Sequence, residues 1–71
     1  MTPEIITVGS DHYVREQADL AVLLRAYLLS QGVPCGPVEE PDGGFRSFRL
    51  GWTANLGAVR ALLERWAAPG P

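Results

Sequence analysis

The one cysteine and the one histidine of this chain are the residues that could support nucleophilic catalysis. A thiol at Cys35 would need the imidazole of His12 within hydrogen-bond reach to be activated as a nucleophile. The pattern between them predicts a helix over 11–31, which would separate the two groups by about 30 Å. We therefore interpret Cys35 as a small core residue and His12 as a surface or capping residue. Enzymatic activity stays uncertain, and the sequence favours its absence.

Two glycine-containing turns are the candidates for binding a small anionic ligand. Residues 9–12 form a predicted strand-to-helix turn, and the free N–H groups at a helix N-terminus attract anions. The sequence Asp42-Gly43-Gly44 predicts a hairpin turn, which we expect at the same end of the sheet. No glycine-rich phosphate-binding motif is present, and Asp11 would repel an anion. The candidate ligand-binding residues are Ser10, His12, Gly43 and Arg46.

Metal and cofactor sites are not predicted. One cysteine and one histidine cannot supply the usual four nitrogen and sulfur ligands of a structural zinc ion. No cofactor-binding motif stands in the sequence. We predict no metal site and no cofactor.

The elements that must position these residues follow from periodicity and breaker residues. The β-branched segment 4–8 predicts a first strand, and an unbroken stretch over 11–31 predicts a long helix. Segments 33–40 and 45–52 predict two strands joined by the turn at Gly43. An amphipathic stretch capped by Thr53 or Asn55 predicts a second helix. We expect one domain over residues 1–68, followed by a Pro/Gly tail over 69–71.

The order strand, helix, strand, strand, helix predicts an α+β, two-layer sandwich with both helices on one face of the sheet. Pro34 and Pro37 place the second strand at an edge, because proline cannot donate to a ladder. The expected sheet order is therefore 1-3-2. This arrangement resembles the ferredoxin-like fold without its fourth strand, and it leaves the outer edge of strand 1 unpaired.

Exposed apolar surface is the feature that favours an interaction role. The apolar residues of the first predicted helix cover more than half of its circumference, and Leu23 falls within or beside its polar strip. A central helix with a few exposed leucines is the alternative explanation. We expect Trp52 and Trp66 in the core, or at the rim of an interface. The candidate interface residues are Ile5, Thr7, Leu20, Leu23 and Tyr27.

Composition narrows the classes of partner. The formal net charge is −2, so the chain lacks the basic excess of a general nucleic-acid binder. Ile5, Thr7, Phe45, Ser47 and Arg49 should share the outer sheet face, but one aromatic there is thin support for stacking single strands. All six basic residues are arginine, which is typical of a GC-rich bacterial or phage genome.

The sequence shows no secretory signal and no membrane-spanning run, so we expect a cytoplasmic protein without a membrane partner. The resulting hypothesis is a small non-enzymatic interaction or regulatory module that forms a homodimer or docks on a protein partner. The alternative is a module that binds a small molecule or anion at the two turns.

Overall fold

The computed structural model describes residues 3–67 and contains a four-stranded antiparallel sheet with two helices packed on one face. The elements are β1 (Glu4–Val8), β2 (Asp11–Gln17), α1 (Ala18–Ser30), β3 (Cys35–Val38), β4 (Phe45–Leu50) and α2 (Leu56–Ala67). The predicted α+β class is confirmed. The predicted sheet order is wrong, because the strands lie in the order β1-β2-β4-β3. The proposed tail over 69–71 lies outside the described residues.

The main difference from the prediction is that Asp11–Gln17 is a strand and not the first part of a helix. Gly9 adopts a φ of +61°, which lets the chain reverse in a two-residue turn after β1. β2 then pairs with β1 on one side and with β4 on the other. No glycine or proline within the segment marks a change from strand to helix, so its local pattern is compatible with a helix. The two ladders outweigh that local preference for helix.

The helix ends follow recognisable local signals. α1 begins at Ala18, whose N–H donates to the carbonyl oxygen of Gly44 at 2.9 Å. It ends at Ser30, and Gly32, two residues further on, has the φ of +83° that allows the predicted stop. The predicted cap of α2 is confirmed at Asn55, whose side-chain oxygen accepts a hydrogen bond from the Ala58 N–H at 3.0 Å.

The proline-bearing strand occupies the position that the sequence predicts. β3 lies at the edge beside β4, and its register shifts by a bulge between Cys35 and Val38. The predicted turn before β4 is also confirmed, because Gly43 and Gly44 have φ values of 62° and 84°. This edge of the sheet therefore carries both a bulge and proline.

One apolar core lies between the sheet and the helices. Its fully buried side chains are Val14, Leu24, Leu28, Phe48 and Val59, with Leu63 at 2% exposure. Trp66 packs against this core, as predicted. Trp52 does not, because β4 ends at Leu50 and Trp52 lies beyond it with 93% of its surface exposed. Among the described residues no helix is long and apolar enough to cross a membrane.

Gly51 is the position where close packing leaves no room for a side chain. Its N–H donates to the Pro34 carbonyl oxygen at 2.7 Å, and a Cβ there would lie 2.6 Å from the Pro34 Cβ. We expect Gly51→Ala to lower the free energy of unfolding by about 1–3 kcal/mol, because the rigid proline ring must move. Urea denaturation followed by circular dichroism measures this change.

Gly36→Ala is the matched control. A Cβ at Gly36 would meet the Arg49 carbonyl oxygen at 3.5 Å, which is an ordinary contact. The free energy of unfolding should then change by no more than about 0.5 kcal/mol. Equal losses in both variants would show that the contact with Pro34 is not the cause.

Candidate interaction surface

Along each strand, the N–H and C=O groups of successive residues point alternately to one side and to the other. This alternation identifies the residues of β1 whose backbone groups point to the open edge. In β4, the carbonyl oxygen of Ser47 accepts from the Glu39 N–H at 2.7 Å, so Ser47 bonds toward the β3 side. Its neighbour Phe48 must then bond toward β2, where it opposes Val14. Neighbouring residues of an antiparallel strand alternate in this way along its whole length.

The same alternation continues through β2 into β1. Because Val14 bonds toward β4, its neighbour Tyr13 bonds toward β1, where it opposes Ile6. The N–H and C=O groups of Ile6 therefore point into the sheet. Those of Ile5 and Thr7 point away from it, toward the open edge.

The two edge strands, β3 and β1, differ in how readily their outward backbone groups could pair with another strand. β3 carries Pro37 and a bulge within its four residues, and these features discourage pairing with another strand. β1 has the sequence Glu-Ile-Ile-Thr-Val, without proline, glycine or bulge. Among the described residues, no strand lies outside β1. β1 is therefore the edge suited to strand addition.

The side chains of Ile5 and Thr7 lie on the helix face of the sheet, which corrects the expectation that they share the outer face. Ile5 opposes the buried Val14 and packs against the core. Thr7 is exposed, and its Oγ1 lies 2.9 Å from Nδ1 of His12. The prediction is wrong because β2 is the partner strand that sets the orientation of β1, and the predicted helix over 11–31 provides no such partner.

The outer face of the sheet carries a different set of residues. Ile6, Val8 and Tyr13 line a shallow cavity there together with Glu39 and Ser47. Phe45, Ser47 and Arg49 lie on this outer face, opposite to Phe48, as predicted. The Arg15 guanidinium stands 4.3 Å from the centre of the Phe45 ring. Both helices pack on the other face, so this outer surface is left uncovered by the described residues.

The three candidate interface residues on α1 have different surroundings. Leu23 is 58% exposed, as its position beside the polar strip predicts. Leu20 is half-buried. Tyr27 is also half-buried, and its ring lies 5.5 Å from that of Trp66 on α2. Tyr27 therefore connects the two helices, and Leu23 is the residue of this group that is free to meet another chain.

The four candidate ligand-binding residues are not brought together. His12 lies on β2 beside the Gly9–Ser10 turn, whereas Arg46 opposes Glu16 near the other end of β2. Four residues of strand separate these positions by about 13 Å. Arg46 Nε donates to the Glu39 carbonyl oxygen at 2.7 Å. A ligand that used both turns would have to span the length of the sheet.

His12 and Cys35 lie closer together than a helix over 11–31 would place them. Cys35 opposes Leu50 on β4. His12 precedes Tyr13, which opposes Arg49, so it flanks Leu50 from the other side. Two strand spacings of about 4.8 Å then separate their backbones by about 10 Å. The two side chains bind other partners, since Cys35 Sγ lies 3.5 Å from the Val33 carbonyl oxygen.

The environment of Cys35 is that of a structural thiol. Partial burial raises the pKa of Cys35, and the positive charge of Arg25 opposes this effect only in part. Arg25 is itself held in place, because its Nε donates to the Gly36 carbonyl oxygen at 2.6 Å. A raised pKa keeps the thiol protonated at neutral pH and lowers its reactivity.

Comparison with known proteins does not assign the chain to a family. No family model, curated protein or solved structure matches it. Within residues 3–67, no three His, Cys, Asp or Glu side chains are grouped so that they could hold a metal ion. What the chain does must therefore be inferred from its own surfaces.

The raised pKa of Cys35 predicts a measurable pH dependence. Alkylation by iodoacetamide should show a higher midpoint pH in the folded chain than in the same chain unfolded in urea. The free energy that the protonated thiol adds to the folded state is complete below the unfolded pKa of about 8.5 and is lost as pH rises through the folded pKa.

Cys35→Ala is the control, because alanine does not titrate. At neutral pH it should lower the free energy of unfolding by at most about 1–2 kcal/mol. The difference between the wild type and this variant should shrink as pH rises above about 8.5. A folded-state midpoint below that of the unfolded chain would instead identify Cys35 as an activated nucleophile.

Proposed function

We propose that this chain is a small, non-enzymatic interaction or regulatory module that acts by associating with a protein chain, first of all with itself. The observation that carries the proposal is the contrast between the two sheet edges. The β3 edge has proline and a bulge, whereas β1 offers outward N–H and C=O groups at Ile5 and Thr7. A bare, apolar edge strand is a liability unless another chain covers it.

Exposed apolar side chains give the proposal independent support. Trp52 is 93% exposed, Val8 61% and Leu23 58%, although each would gain free energy on burial. Tryptophan is one of the residue types enriched among those that dominate binding at protein interfaces. Trp52 follows β4 at the same end of the sheet as the turn that ends β1.

Two groups of residues are the candidate interface. Ile5 and Thr7 lie on β1, and Leu20, Leu23 and Tyr27 lie on α1. α1 packs mainly on β2, β3 and β4, so the two groups are separate surfaces rather than one. Only one of them needs to meet the second copy in a homodimer.

Self-association is tested directly by sedimentation velocity over a range of protein concentrations. We expect a particle of twice the mass of the chain to dominate at about 100 µM, which corresponds to a micromolar dissociation constant. Trp52→Ser tests the contribution of the exposed indole and should leave the fold intact, because Trp52 is not part of the core. A monomer at every concentration up to about 100 µM would contradict self-association.

A further inference from the structure

We infer that two copies of this chain pair through β1, antiparallel to one another about a two-fold axis, and so join their sheets into one. This inference rests on the proposed self-association and specifies its geometry. The outward N–H and C=O groups at Ile5 and Thr7 are the donors and acceptors that such a pairing needs.

One register matches β1 to itself over all five of its residues. In this register Glu4 opposes Val8 of the second copy, Ile5 opposes Thr7, and Ile6 opposes Ile6 at the axis. Ile5 and Thr7 then form hydrogen-bonded pairs, because both have outward backbone groups, and Ile6 forms a non-hydrogen-bonded pair. A shift of the axis by one residue brings Pro3, which has no N–H, or the turn residue Gly9 into the ladder.

The side chains of β1 suit a second copy. Glu4 is its one charged residue, and this register places it opposite Val8 and not opposite another Glu4. Like charges are therefore not brought together directly across the axis. On the outer face, Ile6 meets its counterpart and makes the half-buried surface of Ile6 and Tyr13 continuous between the two copies.

The other edge explains why association would stop at two. Pairing of β1 with β3 of another copy would be head-to-tail and could continue into a filament. The bulge and Pro37 in β3 oppose that contact. Pairing of β1 with β1 uses the same surface on both copies and is therefore closed.

The first experiment removes the outward donor of β1. Thr7→Pro deletes the N–H that faces the open edge, at a position where proline is compatible with an edge strand. Thr7→Val is the matched control, because it keeps the N–H and the branched side chain and loses only the hydroxyl that contacts His12. We expect Thr7→Pro to weaken dimerisation about tenfold or more and Thr7→Val to leave it within about twofold.

Leu23→Lys compares the α1 surface in the same assay. Its side chain is 58% exposed, so the variant should fold, and β1 pairing predicts an unchanged dissociation constant. Sedimentation measures each dissociation constant, and thermal unfolding by circular dichroism shows whether each variant is folded.

The second experiment tests the register and does not depend on proline. Ile6→Cys in a Cys35→Ala background places one thiol at the two-fold axis. A non-hydrogen-bonded antiparallel pair has Cα atoms about 4.5 Å apart, which lies within the range of disulfides. We expect rapid formation of a covalent dimer under mild oxidation. Val22→Cys in the same background is the control, since Val22 is 53% exposed on α1 and should cross-link slowly.

The outcomes separate this inference from the broader proposal. A wild-type dimer that persists in Thr7→Pro and does not cross-link at Ile6→Cys would overturn β1 pairing while leaving self-association standing. If Leu23→Lys alone abolishes that dimer, β1 pairing is likewise overturned, self-association stands, and α1 is identified as the interface. If Thr7→Pro does not fold, the cross-link of Ile6→Cys decides whether β1 pairs with β1. A monomeric wild type would overturn both.

Discussion

Hydrogen bonding of β2 on both of its sides is the constraint on which the rest of the structure depends. The two-residue turn at Gly9 and Ser10 aligns Asp11–Gln17 against β1, and β4 completes the ladder on the other side. Once β2 is central, Val14 must enter the core, where it is fully buried opposite Phe48. The chain also reaches the far end of the sheet before α1 begins, so α1 runs back across the strands.

The central strand also supplies the polar contact that ties α2 to the sheet. Glu16 is 8% exposed, and its carboxylate accepts one hydrogen bond from the Gln17 N–H at 2.7 Å and another from Trp66 Nε1 at 3.2 Å. A carboxylate at such a position would be costly without donors. Trp66 in turn lies against Tyr27, so one buried side chain fixes the relative positions of β2, α2 and α1. In a domain with so small a core, this contact supplements apolar packing.

Features with a local physical cause could be predicted from the sequence, whereas those set by distant pairing could not. Pro34 and Pro37 restrict ladder donation wherever they stand, so the edge position of β3 follows from them alone. Local causes also determine the turn at Gly43, the stop after α1 at Gly32 and the cap of α2 at Asn55. Strand β2 was missed because a segment without breakers is compatible with both a helix and a strand, and only its neighbours decide. The exposure of Trp52 was missed because the last residues of an alternating segment need not stay in the sheet.

The wrong prediction of a helix at Asp11–Gln17 affects the candidate sites unequally, and the reason is geometric. An additional strand reverses the chain once more, so it moves the Gly43 turn to the end opposite Ser10 and brings Cys35 to the end that holds His12. Sites that depend on which end of the sheet a residue occupies therefore change. The edge of β1 does not change, because β2 fills the inner side of β1 and, within residues 3–67, no strand pairs with its outer side. Whether the outer side of β1 is open depends on what pairs with that side. It does not depend on which element follows β1 on the inner side.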